Sequence, residues 1–104
     1  MPDTPTGKLV EDFMAALAGD ADAHRAFIEA RFTPDLLAVA DMDQHVSMFA
    51  QLAADFGGQP VTGFTATATQ ARITVFAAGL GEHLAITFDT TAGDPVRIAG
   101  LQTG

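Results

Sequence analysis

The hydrophobic period of this chain changes once, at Pro60, and that change restricts the fold more than any other feature. Before Pro60 apolar residues recur every three or four positions, the spacing of a helix face; after it they recur every second position, the spacing of a strand. A helical half followed by a strand half describes an α+β domain, with the helices covering one face of an antiparallel sheet. The 104 residues leave room for one domain, 1–104.

Punctuation divides the first half into four helices. Thr4-Pro5 supplies an N-cap and a proline at the first helical position, and Leu9, Val10, Phe13, Met14 and Leu17 follow on one face, predicting a helix over 5–19. Asp20 or Asp22 caps a second helix over 21–32, with Ala23, Phe27 and Ala30 in line and Ile28 and Phe32 beside them. Thr33-Pro34-Asp35 opens a short helix over 34–40. Asp41, with Gln44 three residues on, resembles a capping box and starts a helix over 41–57, along which Met42, Val46, Phe49, Ala53 and Phe56 fall in line. Gly57-Gly58 and Pro60 end it.

The second half reads as strands over 61–69, 72–78, 83–90 and 95–102, joined around Gln70, at Gly79-Leu80-Gly81 and at Ala92-Gly93-Asp94-Pro95. Joints this short predict a four-stranded meander. Ile73, Val75, Leu84, Ile86, Phe88, Val96 and Ile98 form the expected inward set. The outward set is mixed: Arg72, Thr74, His83, Thr87, Asp89 and Arg97 are polar, while Phe64, Phe76, Ala85, Ala99 and Leu101 are not. Such a patch is either ordinary surface or a homodimer interface on the outer sheet face, and the dimer is the expectation carried forward.

Composition narrows the function classes. The 13 acidic residues outnumber five dispersed basic ones, for a formal charge of −8, so a phosphate backbone and an anionic membrane surface are both disfavoured as partners. No run approaches the roughly 18 apolar residues of a membrane span. The polar, proline-containing stretch from Met1 to Gly7 has no signal-like character, which points to a cytoplasmic location. Cysteine is absent, and with it any thiolate chemistry.

The inventory for catalysis is thin. The chain lacks Tyr, Trp and Asn as well as Cys, and its one serine, Ser47, lies two residues from His45 on a helix, where the two cannot face each other. Lys8, beside the N-terminus, reads as a solvated side chain. His24, His45 and His83 sit on different elements without metal-ligand spacing, so no metal and no cofactor is expected. His24 and His83 read as surface residues. Asp41 precedes His45 by four positions, a spacing at which helical side chains meet, and a carboxylate–imidazole pair suits acid–base work. The competing reading gives Asp41 to the helix cap and leaves His45 structural. Met14, Met42, Met48 and the phenylalanines read as core.

Three phrases carry a family likeness: Asp22 to Glu29 (Asp-Ala-His-Arg-Ala-Phe-Ile-Glu), Phe32 to Leu37 (Phe-Thr-Pro-Asp-Leu-Leu) and Val96 to Leu101 (Val-Arg-Ile-Ala-Gly-Leu). From about Val10 to Leu101 the chain resembles the nuclear transport factor 2-like (cystatin-like) superfamily, and within it the small accessory domain attached to some bacterial serine hydrolases of the β-lactamase class. The resemblance implies a cone formed by a curled sheet and its helices, and a pocket between them. Two departures stand out. The stretch from Thr33 to Ala40 is too short for the strand pair usual between the second and third long helices. The tyrosine oxyanion donor of the isomerase-like members has no counterpart in a chain without tyrosine, and no catalytic residue carries over.

These readings lead to a non-enzymatic domain that binds a small apolar ligand in the cone, through His45, Phe49, Phe64 and Phe88, or that acts as an interaction module. The alternative is a small isomerase, cyclase or hydrolase using Asp41 and His45 in an apolar pocket.

Overall fold

The computed structural model describes residues 3–93 and 95–103. Met1 and Pro2 of the polar N-terminal stretch, Asp94 of the last expected turn, and Gly104 lie outside the described residues. Helices α1 (Pro5–Leu17), α2 (Ala21–Arg31), α3 (Pro34–Leu37) and α4 (Met42–Phe56) precede strands β1 (Val61–Ala66), β2 (Gln70–Ala77), β3 (Glu82–Thr90) and β4 (Ile98–Thr103).

Each helix starts where a side chain accepts from an amide that the first turn leaves unpaired. Thr4 Oγ1 accepts from Gly7 N at 3.0 Å, Asp20 Oδ1 from Ala23 N at 3.0 Å, and Thr33 Oγ1 from Leu36 N at 3.2 Å. Of the two aspartates that competed for the second cap, Asp20 takes it. Asp41 and Gln44 complete a reciprocal capping box on α4. The four strands pair antiparallel in the order β1-β2-β3-β4, an open meander of the α+β class.

The helices pack on one face of that sheet. Leu9, Val10, Phe13 and Leu17 of α1, Phe27 and Ile28 of α2, and Phe49 and Phe56 of α4 form one core with Ile73, Val75, Ile86, Phe88 and Ile98. Phe13 is its hub, meeting Phe27, Phe49 and Phe88 edge-to-face at 5.7, 5.5 and 4.9 Å between ring centroids. One charged side chain joins this interior: Arg31 donates to Asp12 of α1 and, at 2.8 Å, to the carbonyl of Val96. It links the first two helices to the segment leading into β4.

Two β-bulges correct the expected faces. Thr90 pairs with Ile98 and Asp89 with Gly100, so Ala99 is an extra residue on β4 and the alternation flips there. Leu101 therefore stands beside Phe88 on the helix-covered face, not on the outer one. On β1, Val61 pairs with Val75 but Gly63 with Thr74, which makes Thr62 the extra residue and places Phe64 opposite Ile73, again on the covered face. A strict period of two assigns both residues to the wrong side. Ala85, expected outside, is buried opposite Thr74, and Leu84, expected inside, is only half-buried.

Other differences are local. Strand β4 begins at Ile98, and just ahead of it the Val96 carbonyl accepts from Arg31 and the Arg97 carbonyl from Thr91 N. The turn between β1 and β2 closes at Thr67–Thr69, where Thr67 N donates to the Gln70 carbonyl, so β2 starts two residues earlier than expected. Helix α3 stops at Leu37, and α1 stops two residues short of Gly19. On α2 the buried line is His24, Phe27, Ile28 and Arg31, while Ala30 is exposed.

Gly57 ends α4 at a close approach of two helices. A Cβ there would lie 2.5 Å from the Ala53 carbonyl oxygen and 3.0 Å from that of Leu17. Its backbone, at φ −61° and ψ 133°, suits any residue, so the constraint is steric alone. Gly57→Ala is expected to cost about 1–3 kcal/mol in urea denaturation through overpacking.

Candidate functional site

The open end of the α4–sheet interface carries a groove. Helix α4 forms one wall; the ends of β3 and β4 form the other, and α3 with the 38–40 turn closes the far side. Two depressions share Met48, Leu52 and Leu101. One, of about 130 Å³, lies against Phe32, Val39, His45 and Phe49. The other, of about 280 Å³, lies against Asp55, Phe56, Leu80 and Leu84.

The turn between β2 and β3 is held against α4. Ala78 N donates to the Asp55 carbonyl at 2.8 Å, and both Leu80 N and Gly81 N donate to Ala77 O. Gly81 adopts φ +71°, a conformation that glycine reaches at no steric cost. This turn presents Leu80 at the groove with 60% of its surface exposed. Met48 is 64% exposed and Val39 78%, and these three are the large apolar residues that stand out into solvent among the described residues. All three line the same groove.

The residues singled out from the sequence do not assemble into one cavity. His45 is buried at 7% exposure, and its Nε2 lies 3.3 Å from the Leu37 carbonyl oxygen. A carbonyl only accepts, so Nε2 carries the proton of that bond, which ties α4 to the end of α3. The ring also meets Phe32 edge-on at 5.5 Å. Asp41 is exposed and faces the backbone: its Oδ1 accepts from Gln44 N at 2.8 Å while Gln44 Oε1 accepts from Asp41 N at 3.3 Å. The carboxylate is engaged in capping, and no Asp41–His45 hydrogen bond forms.

His45 and Phe49 share the smaller depression. Phe88 is fully buried against Phe13, and Phe64 is half-buried on β1, at the opposite edge of the sheet from β4. His83 is exposed and stacks edge-on with Phe76 at 5.2 Å. Among the described residues no group of three or more His, Asp or Glu side chains is placed to hold a metal ion, and no helix is long and apolar enough to cross a membrane.

Two histidine and methionine expectations are corrected. His24 is not a surface residue: it is 5% exposed, its ring lies 5.0 Å from that of Phe49, and neither ring nitrogen has a hydrogen-bond partner among the described residues. Its place on the 24-27-28-31 line was the available signal. Met48 is not core, because it falls just off the Met42-Val46-Phe49-Ala53-Phe56 stripe and over the groove. Leu80 also stands over the groove, and a leucine between two glycines in a turn has little to pack against locally.

No protein-family model matches this chain, and no curated protein or solved structure is significantly similar to it.

Three substitutions check these assignments. Asp41→Ala should cost about 1 kcal/mol as a lost N-cap. A double-mutant cycle with His45→Ala should give a coupling near zero; strong coupling would restore the acid–base pair. His24→Phe should stabilise the fold by about 1 kcal/mol, because it removes buried polar atoms without partners. A fall in melting temperature would mean that those nitrogens are engaged.

Proposed function

We propose that this chain is a non-catalytic interaction domain of the nuclear transport factor 2-like kind, whose working surface is the groove between α4 and the ends of β3 and β4. One observation carries the proposal: Val39, Met48 and Leu80, the large apolar side chains most exposed to solvent, converge on that groove. Scattered exposed apolar residues are ordinary, whereas a contiguous set marks a binding surface.

The order of the elements, with helices first and then a meander covered on one face, is compatible with the cone of that superfamily. A single parallel bridge between Phe32 and Ile98 stands where the superfamily usually has a strand pair. The phenylalanine cluster fills the space between helices and sheet, which argues for a surface groove over a deep ligand cavity. The depression at His45 and Phe49, about 130 Å³, falls below the roughly 300–1,000 Å³ of typical small-molecule sites. It suits a side chain better than a whole ligand.

The outer sheet face is the weaker candidate for association. Without Phe64 and Leu101 its apolar content reduces to Phe76, partly covered by His83, and two alanines of which one is buried. The enzymatic alternative finds no support in the geometry around His45, since the Asp41 carboxylate is committed to its cap.

Nile red, a neutral dye that brightens on apolar surfaces, tests the groove. The native protein should enhance its emission, and Met48→Gln with Leu80→Gln should remove most of that enhancement at an unchanged melting temperature. An equal enhancement in both proteins would defeat the proposal.

A further inference from the structure

The charge distribution around the groove specifies what enters it. The segments that build its walls, 32–57, 77–84 and 101–103, contain Asp35, Asp41, Asp43, Asp55 and Glu82 and not one lysine or arginine. Asp43 is answered across the helices by Arg25 at 3.4 Å. The other four have no ion-pair partner among the described residues. The remaining basic residues lie elsewhere: Lys8 on α1, Arg31 bound to Asp12, Arg72 on β2, and Arg97 before β4. Asp55 lines the larger depression and the other carboxylates lie on the same wall segments, so the apolar floor has an acidic surrounding without a basic side chain in those segments.

The floor is divided rather than continuous. Its two depressions, about 130 and 280 Å³, lie on either side of Met48, Leu52 and Leu101, so they accept two separate apolar anchors. An amphipathic helix presents such anchors at i, i+3 or i+4 and i+7, and a groove walled by a helix suits that mode of recognition. Strand addition is less favoured, because the start of the free β4 edge is already occupied by Phe32 and Thr33.

Resting on the groove as the working surface, we infer that the occupant is a basic amphipathic helix of a partner protein, with apolar residues seated in the two depressions and lysines or arginines facing Asp55, Glu82 and the aspartates at the start of α4. A second copy fits poorly: it brings the same −8 charge, and groove-to-groove docking would set one acidic surrounding against another. An anionic bilayer is repelled for the same reason.

Synthetic peptides of about fifteen residues, long enough for a marginal helix, test the inference. One carries leucine and lysine at helical spacing; a second replaces lysine with glutamate; a third alternates leucine and lysine at period two. The labelled peptides are titrated with the native full chain by fluorescence anisotropy. The helical leucine–lysine peptide should bind, with affinity falling as salt rises. Met48→Gln with Leu80→Gln should weaken it about tenfold or more, as loss of a buried anchor does. Asp55→Asn with Glu82→Gln should weaken it less, and more at low salt than at high.

If the lysine and glutamate peptides bind equally and both lose affinity in the Met48/Leu80 variant, the groove stands and the basic partner is overturned. Equal binding of the period-two peptide overturns the helix. Binding that ignores the Met48/Leu80 substitutions is diffuse charge attraction, which overturns the inference. So does the absence of binding at high micromolar peptide while the Nile red response persists. A concentration-dependent dimer in sedimentation, abolished by Met48→Gln with Leu80→Gln, makes the occupant a second copy and overturns it as well.

Discussion

The Phe13 ring is the point on which this structure turns. It meets α2 through Phe27, α4 through Phe49 and the sheet through Phe88, each edge-to-face. Pairs of this geometry contribute about 0.5–1.5 kcal/mol each beyond the area they bury. They also orient, because an edge-to-face contact defines the angle between rings as well as their distance. One side chain thereby relates three helices to one face of a four-stranded sheet.

A consequence of that cluster is where apolar surface is left uncovered. With the middle of the helix–sheet interface filled by rings, α4 closes on the sheet near Phe49 and Phe56 but leaves its outer flank standing off from the ends of β3 and β4. Leu52, Leu84 and Leu101 remain half-buried there, and Met48, Val39 and Leu80 project beyond them. The fixed link from Ala78 to the Asp55 carbonyl holds the Leu80 turn at the same place. The groove is what an open meander leaves when its helices are drawn to one point of its face.

Much of the fold was legible because it depends on local rules. Caps at Thr4, Thr33 and Asp41 follow from side-chain hydrogen bonding to amides a few residues away, and the change of period at Pro60 separates helix from strand without reference to any distant contact. Face assignments failed where one extra residue enters a strand. Ala99 and Thr62 are unremarkable in sequence, and each reverses the alternation for everything beyond it. His24 was misplaced for a related reason: polarity suggested surface, while its position on the helix line with Phe27, Ile28 and Arg31 made it interior.

The candidate site was the least legible part. His45 and Phe49 were named from the sequence and do lie at the groove, but the residues that make it a surface come from α3, α4, two turns and two strands. By itself the sequence determined the α+β class, the order of eight elements, most of the core and the acidic character, because these depend on periodicity, capping and composition. Only the tertiary structure decided which face Phe64 and Leu101 occupy and that Val39, Met48 and Leu80 meet. Those outcomes depend on strand register and helix placement, which are set by contacts between residues far apart in the chain.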